Sequence, residues 1–312
     1  MSSIERGRKN PRFFPSAVMA MDVLRSDFSK DPAPGQKSQW NRREFLELSN
    51  YLLKERGFSI SGYKPGYIAR RVAIRINSTR SSTFRKYFEL LKDEPEELSL
   101  LYDTLTVNVS SFFRNREVFE SIKTKVFPEM VRRKRREGAS TIKIWSLGCS
   151  TGEEPYSLNI LLKKSLSFRL KGFDVGIFAT DIDNEALLQA KKGLYGADVF
   201  TDNDSGVLRS AFRKRGDTFQ IRDAFKRGIT FKKQDIFELK PMQEKFDLIL
   251  CRNVLIYFTK IVHRDVLGYL ADHLPVHGVL VLGKAEVLLN PQDTRFEHID
   301  LENRIYKKIR NS

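Results

Sequence analysis

The segment Ile142–Ile160, IKIWSLGCSTGEEPYSLNI, decides the fold. Ile142 to Leu147 is an apolar run of strand length, Gly148 to Gly152 is a turn of small residues, and Pro155 marks the first turn of a helix. A strand that passes through a glycine turn into a helix brings backbone N–H groups and the positive end of a helix dipole to the strand's carboxyl edge. Glu153 and Glu154 already stand at that edge. They would repel a phosphate and hold a ribose diol or a cationic ligand. The turn has neither the G-x-G-x-x-G fingerprint nor the lysine of a P-loop, which argues against NAD and ATP. A nucleoside without phosphates suits it, and S-adenosylmethionine, whose sulfonium and ammonium are both positive, is such a nucleoside. The plainer reading is an ordinary α/β junction with an acidic helix start.

Toward the C-terminus the alternation of strands and helices continues. Val175 to Thr180 is a second apolar strand ending at Asp181, followed by Asp183 and a helix through Ala186, Leu187 and Ala190. A carboxylate at the tip of the second strand is where Rossmann-like folds hold a ribose diol. Phe246 to Cys251 is the next strand, ending at Arg252 and Asn253, and Gly278–Leu282 and Arg304–Lys308 follow. The pattern predicts an α/β fold with a mostly parallel, doubly wound sheet and a ligand at the carboxyl ends of its strands. Val199 to Lys233, polar and basic with TFQI and GITF, breaks the alternation and predicts a short inserted β-subdomain ahead of Asp235. A docking surface and a basic lid are both compatible with it.

Toward the N-terminus, residues 1–38 show no sustained period and predict a mobile basic arm, in which the apolar patch from Phe13 to Leu24 has the length of one short helix. Residues 39–105 predict a small all-helical domain. Phe45, Leu48, Leu52 and Leu53 recur at helical spacing before Gly57, and further helices are expected over Phe84–Leu91 and from Glu94 to about Thr104. After Lys64-Pro65-Gly66, Ile68, Val72 and Ile76 form the apolar face of a helix that also carries Arg70, Arg71 and Arg75. By itself such a helix reads as a solvated charged face. Residues 106–312 would form the ligand-binding domain. It opens with Thr106–Glu120, TVNVSSFFRNREVFE, where Asn108, Ser110, Ser111 and Arg114 gather amide, hydroxyl and guanidinium groups suited to a carboxylate-bearing ligand. A helix cap at Ser110 or Ser111 is the simpler alternative.

Composition narrows the class. The chain has 312 residues, 41% of them hydrophobic, and a formal net charge of +16, which favours polyanionic partners, nucleic acid or an acidic protein surface. Cys149 and Cys251 are far apart, and His263, His273, His277 and His298 lack metal-pair spacing, so no metal is expected. No membrane-length apolar run and no signal-peptide core are present, and a cytoplasmic, monomeric protein is expected.

Several segments together resemble the CheR family of chemotaxis receptor methyltransferases: GYKPGYIARRVAIRI, TVNVSSFFRNREVF, IWSLGCSTGEEPYSL, FATDIDNEALLQAKKGLY and FDLILCRNVLIYF. The resemblance spans nearly all of residues 44–308. It implies a class I S-adenosylmethionine-dependent methyltransferase with a small helical N-terminal domain and an inserted β-subdomain, transferring methyl groups to glutamates in the cytoplasmic helices of chemoreceptors. It implies that Asn108, Ser110 and Arg114 meet the methionine end of the cofactor. Glu153 and Glu154 would lie in the glycine turn, Asp181 would take the ribose, Asp235 and Ile236 would frame the adenine, and Arg252 and Asn253 would close the pocket. Arg114 and Tyr257 would orient the incoming carboxylate, and Arg70, Arg71 and Arg75 would dock the glutamate-rich substrate. Departures from the family pattern are Ser110 in place of a threonine and GKAE, Gly283–Glu286, in place of glycine-histidine-serine-glutamate. Two rivals remain at this point: an RNA or DNA methyltransferase, which lacks an evident base-reading motif here, and a non-catalytic S-adenosylmethionine-binding adaptor.

Overall fold

The computed structural model describes residues 41–200, 206–238, 244–289 and 294–311. The arm expected over residues 1–38 and its Phe13–Leu24 patch lie outside them.

Four helices come first. Helix α1 (Arg42–Arg56) starts with a capping box in which Asn41 and Glu44 each accept the other's backbone N–H, and it ends at Gly57 in the left-handed region. Pro65 opens α2 (Pro65–Ser78), Thr83 caps α3 (Phe84–Asp93), and Pro95 opens α4 (Pro95–Thr106). Phe45, Leu48, Ile68, Val72, Tyr87 and Leu101 bury their side chains between them. Arg75 belongs to this interior, which corrects its assignment as a docking residue. Its Nη2 and Nε donate to the Glu97 carboxylate at 2.7 and 3.0 Å, Tyr87 Oη donates to the same group at 2.8 Å, and the arginine side chain is only 16% exposed. It ties α2 to α3 and α4 and is not free to meet a partner.

The remainder is the α/β domain. Helices α5 (Arg116–Ser121) and α6 (Phe127–Arg136) are joined by a π-helical turn and lead into β1 (Thr141–Leu147). Then come α7 (Glu153–Ser165), β2 (Asp174–Asp181), α8 (Asn184–Lys192), β3 (Leu194–Tyr195), α9 (Gly206–Ser210), β4 (Phe212–Arg215), β5 (Thr218–Ile221), α10 (Asp223–Lys226) and β6 (Ile229–Lys233). The chain closes with β7 (Leu248–Cys251), α11 (Lys260–Asp272), β8 (Val279–Leu282), β9 (Phe296–Asp300) and β10 (Ile305–Lys308). The main sheet has seven strands in the order β6-β2-β1-β7-β8-β10-β9. Its first five strands are parallel, and β10 and β9 add as antiparallel strands at one edge.

The near-continuous apolar runs follow from burial on both faces of this sheet. Leu248, Leu250, Val279 and Val281 pack under α5, α6 and α7, whereas the alternate residues Ile249, Cys251, Leu280 and Leu282 join Trp145 in the core shared with the helical domain. The insertion is smaller than expected. TFQI is the centre of a separate antiparallel sheet, β3-β5-β4, but GITF is the edge strand β6 of the main sheet, paired in parallel with β2.

Candidate active site

From β1 the chain steps outward to β2 and β6 on one side, then returns to lay β7 on the other. That reversal opens a crevice beyond the carboxyl ends of β1, β2 and β7. The crevice is lined by Asn108, Ser110 and Arg114 from the loop after α4, by Gly148, Ser150 and Glu154 after β1, by Asp181 and Ile182, by Gln234 and Ile236, and by Arg252, Asn253, Val254 and Tyr257 after β7.

The glycine turn is fixed by the end of β2. Gly148 and Cys149 donate their N–H groups to Thr180 O at 2.8 and 3.0 Å, and Ser150 N donates to Asp181 Oδ2 at 2.7 Å. The amides of Gly148, Cys149 and Ser150 are therefore occupied by protein acceptors and are not free to cradle a phosphate. Gly148 has φ +72°, and a Cβ there would lie 2.3 Å from Val254 Cγ2, so only glycine lets the two loops that flank the crevice approach this closely. Asp181 also accepts Asp183 N at 3.0 Å, and burial pushes its pKa up against these two backbone donors.

The other end is a chain of paired groups. Asn108 Nδ2 donates to Asp183 Oδ2 at 2.5 Å, and Ser150 Oγ donates to Asn108 Oδ1 at 3.2 Å. Arg114 Nη1 donates to Val109 O at 3.1 Å, curling the loop around the crevice. The Glu154 carboxylate accepts from Ser146 Oγ at 2.7 Å and from Arg252 Nη1 at 3.2 Å. Arg252 in turn donates through Nη2 to Arg114 O at 2.8 Å and to Asn115 Oδ1 at 3.0 Å. Arg252 Nε is a buried donor without a hydrogen-bond partner among the described residues.

Two expected site residues lie elsewhere. Glu153 is buried and takes no part in the lining; its carboxylate accepts from Thr151 Oγ1 at 2.7 and 2.8 Å. The adjacency of the two glutamates in sequence hides this, because consecutive residues at a helix start leave in different directions. Asp235 lines a neighbouring cleft with Arg56, Tyr102 and Lys233, and its Oδ1 accepts Phe237 N at 2.7 Å; Gln234 and Ile236 line the crevice in its place. Burial raises the Asp235 carboxyl to about 6. Its folded pKa exceeds the unfolded value, so its favourable contribution is present at low pH and is lost as pH rises from about 4 through about 6. Asp235→Asn keeps the acceptor for Phe237 N and removes the buried charge. It is expected to raise thermal stability at pH 7.5 by on the order of 1–2 kcal/mol and to leave it unchanged near pH 4, as paired melts would show.

Two further groups carry roles that the sequence does not assign. Asp183 caps α8 through Oδ1 and holds Asn108 and Thr106 through Oδ2. Glu286, 1% exposed, collects five backbone N–H groups behind the β7 loop. Its sequence signals are an acidic residue four positions beyond a fully apolar strand and the glutamate that GKAE shares with the family's glycine-histidine-serine-glutamate.

The family model described as the CheR methyltransferase S-adenosylmethionine-binding domain matches residues 108–305, and that of the CheR methyltransferase all-alpha domain matches residues 43–106. The chain belongs to the CheR methyltransferase family. A chemotaxis protein methyltransferase of Listeria innocua is 34% identical over 80% of this chain and 92% of its own length. Chemotaxis protein methyltransferase 2 of Vibrio cholerae is 32% identical over 78% of this chain and 85% of its own. Among solved structures, PKMT2 from Rickettsia typhi in complex with AdoHcy has a TM-score of 0.34 at 16% identity, covering 56% of this chain and 26% of that one, too slight a likeness to carry weight.

The cofactor of a CheR methyltransferase is S-adenosylmethionine, and the crevice suits it. Carboxylates at Asp181 and Glu154, amides committed to protein acceptors, and cations at Arg114 and Arg252 match a ligand with a diol, an ammonium, a sulfonium and a carboxylate and no phosphate. No helix among the described residues is long and apolar enough to cross a membrane, and no group of His, Cys, Asp and Glu there could hold a metal ion.

Proposed function

We propose that this CheR methyltransferase esterifies glutamate side chains in the cytoplasmic helices of chemoreceptors. One observation carries the reading: the basic helix of the N-terminal domain is joined to the crevice wall at the residue expected beside the reacting methyl. Lys64, the residue before α2, donates its N–H to Tyr257 O at 2.9 Å and its ammonium to Ile256 O at 2.7 Å. The Tyr67 and Tyr257 rings pack with centroids 4.8 Å apart, and the Arg71 guanidinium lies 5.6 Å from the Tyr67 ring. A docking helix that carries Arg70 and Arg71 thus ends at the mouth of the site.

When bound, S-adenosylmethionine supplies an electrophilic methyl on a sulfonium. A glutamate carboxylate is already a nucleophile at neutral pH, so the protein needs no general base. Its work is to bring the carboxylate in line and to strip its water, a contribution on the order of several kcal/mol. Arg114 and Tyr257 orient the incoming carboxylate. Burial raises the Tyr257 pKa, opposed by Arg114 and Arg71, so the phenol stays protonated and able to donate. Asp181 takes the ribose, Ile236 borders the adenine, Asn108, Ser110 and Arg114 meet the methionine end, and Glu154, Arg252 and Asn253 close the floor.

Incubation with methyl-labelled cofactor, receptor-bearing membranes and nucleic acid tests the reading. Base-labile label on receptor supports it, whereas label on nucleic acid, or cofactor binding without turnover, contradicts it. Reversing Arg70 and Arg71 to glutamate is expected to raise the apparent KM for receptor about tenfold, roughly 1.4 kcal/mol, with cofactor affinity unchanged. A matching loss of cofactor affinity would count against a docking role.

A further inference from the structure

The segment Gly283–Glu286, where this chain departs from the family pattern at Lys284 and Ala285 and keeps the glutamate, lies against the back of the β7 loop. Glu286 Oε1 accepts N–H groups from Val254 at 2.8 Å, Leu255 at 2.7 Å and Ile256 at 3.3 Å, and Oε2 accepts those of Asn253 at 2.9 Å and Gly283 at 2.6 Å. The charge of this buried carboxylate is balanced by backbone dipoles at the start of the 3₁₀ turn Leu255–Tyr257. The loop it grips holds three crevice residues: Asn253, in the left-handed region at φ +61°, Val254, which closes on Gly148, and Tyr257. The loop's outer side is held by the helical domain through Lys64 and through Thr259 N, which donates to Gly62 O at 3.0 Å. Lys284 reaches forward to pair with Glu117 on α5, just beyond Arg114.

We infer that Glu286 is a positioning residue for methyl transfer: by gathering the amides of residues 253–256 it sets the height of Tyr257 over the crevice. The inference rests on the role given to Tyr257 above. A loop this short is rigid only if its amides are satisfied, and removing their common acceptor leaves several buried donors unpaired at once. A displacement of Tyr257 by about 1 Å is enough to cost on the order of a hundredfold in rate.

The test is a double-mutant cycle in the full chain, with turnover measured well below the melting temperature of each variant. Glu286→Gln, which turns an amide N–H₂ toward the loop's N–H groups, is expected to lower kcat between about tenfold and a hundredfold, with receptor KM within about threefold of wild type. Tyr257→Phe has its own cost, and the double variant should be no slower than the worse single one, because both act through one phenol. Multiplying losses, or a Glu286→Gln variant with wild-type kcat, would overturn the inference. If Glu286→Gln fails to fold, Glu286→Asp, one methylene too short to span the five donors, takes its place with the same expectation. Hydrogen exchange of the amides of 253–256 is read without substrate. Faster exchange confined to that loop supports the positional claim even if wild-type protein forms no ester, and wild-type protection in the variant refutes it.

Discussion

Asp181→Asn is expected to weaken binding of S-adenosylhomocysteine by roughly thirtyfold to a hundredfold, about 2–3 kcal/mol, while the protein stays folded. The substitution is isosteric, yet it removes the only full negative charge at the tip of β2 that lines the crevice and can accept from both hydroxyls of a ribose. It also sets an amide N–H₂ against the N–H of Ser150 or of Asp183, the two donors that Asp181 now satisfies. Titration calorimetry on a variant with wild-type circular dichroism would measure the loss. Binding within threefold of wild type would mean that the diol is held elsewhere.

The second large effect is expected from Arg252→Ala. Its side chain is 2% exposed and its partner Glu154 is 13% exposed, so truncation leaves a carboxylate in a dry wall without its cation. Breaking such a pair costs about 3–5 kcal/mol of folding stability, because the remaining, largely buried charge has lost its cation and keeps only the Ser146 hydroxyl as a donor. Arg114 O and Asn115 Oδ1 lose their donor in the same step, and the stack of the guanidinium over Phe119, 5.6 Å to the ring centroid, disappears. Chemical denaturation of wild type and variant would read the difference. Replacing both Glu154 and Arg252 by apolar residues should restore most of the stability and none of the cofactor binding. A loss below about 1 kcal/mol in the single variant would show that the pair is solvated and not part of the floor.

What the chain declares about itself divides along a physical line. Patterns set by the backbone were legible: the apolar run into Gly148, the strand ending at Asp181, the Pro-opened helices of the N-terminal domain. These depend on residues close in sequence. The CheR motifs then carried Asn108, Ser110, Arg114, Glu154, Asp181, Ile236, Arg252, Asn253 and Tyr257 to one crevice, which the sheet order assembles. The misreadings are all matters of which way a side chain turns or what it meets far along the chain. Arg75 looks like its neighbours Arg70 and Arg71 until Glu97, 22 positions away, takes it into the bundle. Glu153 and Asp235 sit one residue from true lining positions, and a single step on a helix or loop is enough to face them elsewhere. Strand β9, Phe296–Asp300, sets only Phe296 and Ile299 among polar residues at an antiparallel edge and lacks the continuous apolar run of the central strands. Glu286 could not be weighed at all without knowing that five amides converge behind it.

Methyl transfer requires the crevice to hold a phosphate-free nucleoside that bears a charged sulfur, and then its demethylated product. Titration calorimetry of the folded protein against S-adenosylmethionine, S-adenosylhomocysteine and ATP tests this most directly. The first two are expected to bind at one site per chain and ATP not to bind. Uptake of ATP, or no heat with either sulfur nucleoside, would contradict it.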